Sequence, residues 1–132
     1  MGTGYLLDSN VIIGYLAGEI PAPGMKAVSG IVDDAPHISV LSQIEVLRFN
    51  DTPENEQVLA DFVKASSVYP LTDPVVRRTI ALCKQSKIKL PDAIIAATAL
   101  TENFVLVTRN TGDFKNIADL GLLNPWELQA EA

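Results

Sequence analysis

The chain has 132 residues, 48% of them hydrophobic and 20% charged, a length for one domain and a profile that excludes disordered or low-complexity chains. Folding a chain of this size buries about two thirds of its surface, enough for a core without staples, and the one cysteine, Cys83, excludes an internal disulfide and a zinc cage. The net charge of −6 argues against a general nucleic-acid coat protein.

The N-terminus, Met1 to Asp8, has no basic region and reaches an acid at once, so it does not read as a secretory signal. The apolar run from Ala93 to Leu100 is too short to span a bilayer. A soluble cytoplasmic protein with no membrane contact is expected. Tyr5-Leu6-Leu7-Asp8 reads as a strand, and Ser9-Asn10 opens a helix through Leu16. Glu19 to Gly24, with Pro21 and Pro23, reads as a loop. Met25 to Asp34 then shows helical spacing, and His37 to Val40 is a second strand. Ser42 is placed to cap a helix carrying Ile44, Glu45, Val46, Leu47 and Phe49. Pro53 starts another, with Val58, Leu59, Phe62 and Val63 on one stripe.

Val68 to Leu71 is a third strand, weakened by Pro70. Thr72-Asp73-Pro74 opens a helix whose core stripe is read as Val76, Ile80 and Cys83. Pro91-Asp92 opens a helix to Glu102, small and apolar nearly all round and therefore buried. Phe104 to Thr108 is the strongest strand. A turn over Asn110 to Gly112, a helical turn over Asp113 to Ile117 and an edge strand within Leu120 to Leu123 complete the chain, with Trp126 sealing the sheet end. His37, the only histidine, has no partner motif and reads as structural. Apolar residues on the first two helices are candidates for a dimer or partner surface. Strands alternate with helices throughout, which predicts an α/β fold. It is a three-layer α/β/α sandwich around a mostly parallel sheet of four to five strands, forming one domain over residues 1–132. In such folds ligands bind beyond the carboxyl ends of the strands.

Four acids fall where that edge should be. Asp8 ends the first strand, Asp113 follows the strongest strand, Asp92 opens the buried helix, and Glu45 lies in an apolar helix. Each has an ordinary explanation alone. Asp8 and Asp113 can cap helices, Asp92 suits a helix dipole, and Glu45 can pair with Arg48, although burying it unpaired is costly. Together they repel unless a cation sits among them. With no His or Cys present, the all-oxygen set fits Mg²⁺ or Mn²⁺ and suits phosphodiester hydrolysis by metal-activated water.

Leu6-Leu7-Asp8-Ser9-Asn10-Val11, Ile44-Glu45-Val46, Leu90-Pro91-Asp92-Ala93-Ile94-Ile95-Ala96-Ala97 and Thr108-Arg109-Asn110-Thr111-Gly112-Asp113-Phe114 occur in that order. Together they resemble the PIN-domain ribonuclease family, most closely its VapC-like toxin branch, over Tyr5 to Trp126. The resemblance implies an endoribonuclease that holds Mg²⁺ or Mn²⁺ with Asp8, Glu45, Asp92 and Asp113. It implies polar support from Thr108 and Asn110, and from Ser9 and Asn10, where the family often keeps small polar residues. It further implies an RNA substrate, a small antitoxin partner and a homodimer.

Setting the four acids aside leaves twelve acids against ten bases. Arg77, Arg78, Lys84, Lys87 and Lys89 all lie between Pro74 and Leu90, a stretch without an acid. Arg77, Lys84, Lys87 and Lys89 are candidate contacts to an RNA backbone, against a plain solvated helix face, and Arg109 is another. A haloacid-type phosphatase needs an acid where Asn10 stands. A phosphate-receiver domain can use Thr108 and Lys115, but Ser9 and Asn10 spoil its acid pair, Asp73 lies beyond Pro70, and Glu45 and Asp92 stay unexplained. A PIN-fold binding scaffold without catalysis is the remaining alternative.

Overall fold

Leu6 and Leu7 are neighbours in sequence and both fully buried, yet they belong to different cores. A strand sends successive side chains to opposite faces, so this pair alone requires a sheet covered on both sides. The computed structural model describes residues 4–130. Met1 to Thr3, and the rest of the expected 1–132 domain at residues 131–132, lie outside the described residues. The elements are β1 (Tyr5–Leu7), α1 (Ser9–Leu16), α2 (Ala22–Asp34), β2 (His37–Ser39), α3 (Val40–Leu47), α4 (Pro53–Ala65), β3 (Ser67–Tyr69), α5 (Asp73–Gln85), α6 (Leu90–Glu102), β4 (Val105–Val107) and β5 (Leu122–Leu123). Short 3-10 turns occupy Thr111–Asp113 and Pro125–Glu127.

The strand order is β3-β2-β1-β4-β5, and every pairing is parallel. The register of β1 on β4 is Tyr5 to Val105, Leu6 to Leu106 and Leu7 to Val107. One face packs Leu6 and Leu106 against α5 and α6, with Phe114. The other packs Leu7, Ile38 and Val107 against Val11, Ile12, Val28, Val46, Leu59 and Val63 from α1 to α4. The expected α/β/α sandwich with a five-stranded parallel sheet is therefore present. No helix among the described residues is long and apolar enough to cross a membrane.

Several local expectations shift. The loop expected over Glu19 to Gly24 holds only through Pro21: α2 begins at Ala22, with Pro23 in its first turn, where a missing N–H costs nothing. Gly24 lies so close to the Pro125 carbonyl that a Cβ would collide with it. Ser39, not Ser42, caps α3, accepting from the Ser42 N–H at 3.1 Å. Residues after Asp113 form turns rather than a helix.

The stripe on α5 is displaced by one residue. Val75, Thr79 and Leu82 are buried, whereas Val76, Ile80 and Cys83 face solvent. The two stripes share the same spacing, and the Thr79 hydroxyl is accommodated inside by donating to the Val75 carbonyl at 2.7 Å. Likewise Leu59 and Val63 carry the α4 contact and Val58 is exposed. Among the described residues the exposed large apolar ones are Ile44, Leu47, Phe49 and Val58, and Leu71, Val76, Ile80 and Leu90, so none of them lies on α1 or α2. His37 stacks on Phe104 at 4.7 Å and meets the Tyr69 hydroxyl at 3.1 Å, a packing role. Burial, then the nearby Glu102 charge, raises the Tyr69 hydroxyl above its ordinary value.

Candidate active site

The carboxyl ends of β1 and β4 lie side by side, so the residues that follow them meet. Asp8 leaves β1 with its N–H still on the Val107 carbonyl at 2.9 Å. It caps α1, as an Asp at such a junction commonly does: Oδ1 accepts from the Ser9 N–H at 2.8 Å. Its other oxygen does something capping does not explain. Oδ2 accepts from the Thr108 hydroxyl at 2.9 Å and from the Asn10 side-chain amide at 3.4 Å. Thr108 is fully buried and Asp8 is 6% exposed. The Thr108 oxygen also accepts from the Asn110 N–H at 3.1 Å, which fixes the chain reversal after β4.

Burial pushes the Asp8 carboxyl above its ordinary value, and the Glu45 charge adds to this. The bonds from Thr108, Ser9 and Asn10 oppose it. Glu45 reaches the same place from α3, where its carboxylate accepts from the Ser9 hydroxyl at 3.3 Å. Its neighbours Ile44 and Leu47 are about half exposed, so Glu45 lies on a half-open helix edge, and no ion pair joins it to Arg48 among the described residues.

Asp92 stands in the first turn of α6, whose capping position, Lys89, provides no side-chain bond. Its carboxyl is also raised, first by burial, then by the charges of Asp113 and Asp8, with Lys89 opposing. Asp113 ends the 3-10 turn after β4 and is exposed, while the adjacent Phe114 is buried and anchors the turn. Asp8 thus feels the Glu45 charge, and Asp92 feels those of Asp113 and Asp8. No three Asp, Glu, His or Cys among the described residues converge closely enough to ligate one ion by themselves. The donor set nevertheless suits a small hard cation. It is all oxygen, burial and then neighbouring carboxylates raise Asp8 and Asp92, and Mg²⁺ takes only one or two direct carboxylates while keeping waters.

The supporting residues divide by atom. Ser9 uses its N–H and its hydroxyl, Asn10 uses its side chain, Thr108 uses its hydroxyl twice, and Asn110 contributes its main chain, including the carbonyl that accepts from Asp113 N–H at 3.0 Å. Of the basic candidates, Lys89 adjoins Asp92. Arg77 pairs with Asp73 on the exposed side of α5, and Lys84 and Lys87 are exposed with no bond to the acids. Arg109 follows Thr108, and its N–H donates to Asn10 Oδ1 at 3.2 Å. Sequence reasoning missed Asn124, whose amide donates to the Arg109 carbonyl at 3.1 Å and whose oxygen accepts from the Trp126 N–H at 2.9 Å. The Asn124-Pro125-Trp126 run carried that signal as an Asx turn.

Residues 5–120 match the PIN domain family. The chain is 33% identical over 117 residues to the protein named ribonuclease VapC10 of Mycobacterium tuberculosis, covering 83% of this chain and 84% of that one. It is 29% identical over 132 residues to ribonuclease VapC of Rickettsia bellii, covering 91% and 95%. Its fold superimposes on a chain of a toxin–antitoxin complex from Klebsiella pneumoniae with a TM-score of 0.74 and 28% identity, covering 95% of this chain and all of that one.

Proposed function

We propose, from the premise that this chain belongs to the PIN-domain family in its VapC branch, that it is an Mg²⁺- or Mn²⁺-dependent endoribonuclease and the toxin of a toxin–antitoxin pair. The observation that carries the reading is the position of Asp8, Asp92 and Asp113 at the carboxyl edge of the sheet, where burial raises the Asp8 and Asp92 carboxyls and the charges of Asp113 and Asp8 raise Asp92 further. Similarity to proteins named ribonucleases supports the substrate class, and similarity to a toxin–antitoxin complex supports the partner.

Asp8 and Asp92 would hold the cation directly, with Asp113 and Glu45 acting through water. Bound there, Mg²⁺ or Mn²⁺ supplies stabilisation of charge on the phosphate oxygens and an acidified water. The chain's own residues set the geometry. Thr108, Ser9 and Asn10 restrict the Asp8 carboxylate to one orientation, and the Ser9 hydroxyl steers Glu45. Hydrolysis forms a bond from the water oxygen to phosphorus and breaks P–O3′, with a proton ending on O3′. The products are a 5′ phosphate and a 3′ hydroxyl. The exposed apolar residues of α3 and α4, and those in and beside α5, leave area for an antitoxin and for a second copy of the chain. The whole of residues 1–132 acts as one domain, in the cytoplasm.

Calorimetric titration with Mn²⁺ after chelator treatment tests the site, and cleavage of RNA with and without Mn²⁺ tests the activity. Saturable binding and cleavage, both lost in Asp92→Asn, are expected. Intact RNA at high Mn²⁺, with no binding by either protein, replaces the enzyme with a binding scaffold.

A further inference from the structure

Among the described residues, Arg109 is the one basic residue near the acids whose side chain is held in place by something other than a carboxylate. Its N–H donates to Asn10 and its carbonyl accepts from Asn124. Its guanidinium lies over the Trp126 ring, 4.8 Å from the centroid. Asn124 also accepts from the Trp126 N–H, so main chain, amide and indole close a loop around this arginine. Trp126 can occupy its place only because residue 14 is glycine: a Cβ there would lie 2.8 Å from the indole. Arg109 is exposed, and the only ion pair among the described residues joins Arg77 to Asp73.

We infer that the Arg109 guanidinium, stacked on Trp126, binds a backbone phosphate of the RNA strand flanking the one that is cut, with Trp126 as its positioning residue. This rests on the ribonuclease reading above. Asn10 and Gly14 are four residues apart on α1, about 6 Å along its axis, and Arg109 spans that distance, with its main chain at Asn10 and its head against the indole beside Gly14. The charge is thereby displaced along α1 from Asp8. An unrestrained guanidinium beside so many acids would fold onto them and quench the site, because opposite charges attract strongly at partly buried positions. Stacking keeps it apart and available. A planar fork held in advance also loses less freedom when it meets a phosphate.

The alternative role is plain packing, with Arg109 shielding the indole face. The two roles separate in one set of measurements. Binding of a fluorescently labelled single-stranded RNA of mixed sequence is followed by anisotropy over a range of salt, with chelator present so that the strand stays intact. Trp126 is the sole tryptophan, so its emission reports directly on the pair in the wild type. Arg109→Gln should bind about tenfold more weakly at low salt, with the slope of log K against log salt reduced by about 0.7. Trp126→Leu should lose a smaller part of the affinity, and Trp126→Phe, which keeps an aromatic face, should regain most of it. In Mn²⁺-supported cleavage of the same RNA, the loss in Arg109→Gln should fall mainly on KM. A packing role predicts lower thermal stability with affinity and salt slope unchanged, and that result overturns the inference. If the wild type cleaves RNA while Arg109→Gln binds and cleaves as it does, this inference alone fails. If the wild type neither binds nor cleaves RNA, the ribonuclease reading fails and this one with it.

Discussion

Replacing Thr108 with valine keeps the shape of a fully buried side chain and deletes one hydroxyl. That hydroxyl donates to Asp8 Oδ2 at 2.9 Å and accepts from the Asn110 N–H at 3.1 Å. A hydrogen bond to a charged group contributes about 1.5–3 kcal/mol, and the orphaned Asn110 N–H adds up to about 1 kcal/mol because water can reach it in part. The expected loss near neutral pH is about 3 kcal/mol. With an unfolding entropy of about 2.1 cal/mol/K per residue, that lowers Tm by about 10 °C. The loss should depend on pH in one direction. The folded Asp8 carboxyl titrates above its ordinary value because of burial, and Thr108 pulls it back down. Ionised Asp8 therefore costs stability as pH rises through its folded value, and costs more once Thr108 is gone. Below the ordinary carboxylate range Asp8 is neutral in both proteins, and only a neutral hydrogen bond, about 1 kcal/mol, is at stake. Denaturant unfolding of wild type, Thr108→Val, Asp8→Ala and the double variant, at about pH 7.5 and about pH 3, measures both effects. Additive losses in this cycle, or a Thr108→Val loss equal at the two pH values, refute the assignment.

Asp92→Asn should raise stability slightly in metal-free buffer at neutral pH, by less than about 1 kcal/mol after solvent screening. Its folded carboxyl is raised by burial and by Asp113 and Asp8, so the gain should vanish as pH falls below the ordinary carboxylate value, and thermal scans across pH check it. Gly24→Ala should destabilise by about 3 kcal/mol, since the new methyl meets the rigid Pro125 carbonyl rather than a flexible side chain; chemical denaturation measures it. Cys83 should react with an aromatic disulfide reagent in the native protein as fast as a free thiol, and Cys83→Ser should change stability by less than about 0.5 kcal/mol, because the side chain faces solvent.

The layered architecture was legible because alternation and helical spacing are one-dimensional signals. Leu6-Leu7, the apolar run of α6 and the Pro-bearing first turns of α4, α5 and α6 announce themselves in the string. What failed was the choice between faces of one helix. On α5, Val75-Thr79-Leu82 and Val76-Ile80-Cys83 have identical spacing, and hydrophobicity favours the second set. The threonine is inside because a backbone carbonyl accepts its proton, a local bond that composition does not register. The same blindness hid Asn124, an unremarkable amide whose importance comes entirely from where the chain returns. The acids at the strand ends were visible as positions, and Thr108 entered as polar support for them through the family resemblance. That Thr108 bonds to Asp8 depends on the register of β1 on β4, which no local pattern encodes.

That register has a consequence during synthesis. Thr108 and Asp8 are 100 residues apart, and β1 completes its inner edge only when β4 slides in between it and the still later β5. A ribosome that has released α1 to α4 has therefore made most of one core, still without Val107 of β4, and half of the acidic pocket. Asp92, Asp113 and the hydroxyl that orients Asp8 are still missing. Long-range parallel pairing of this kind forms late and slowly. A chain that attacks RNA would thus pass through translation unarmed beside the ribosome's own RNA, becoming competent only after its last quarter has emerged and docked.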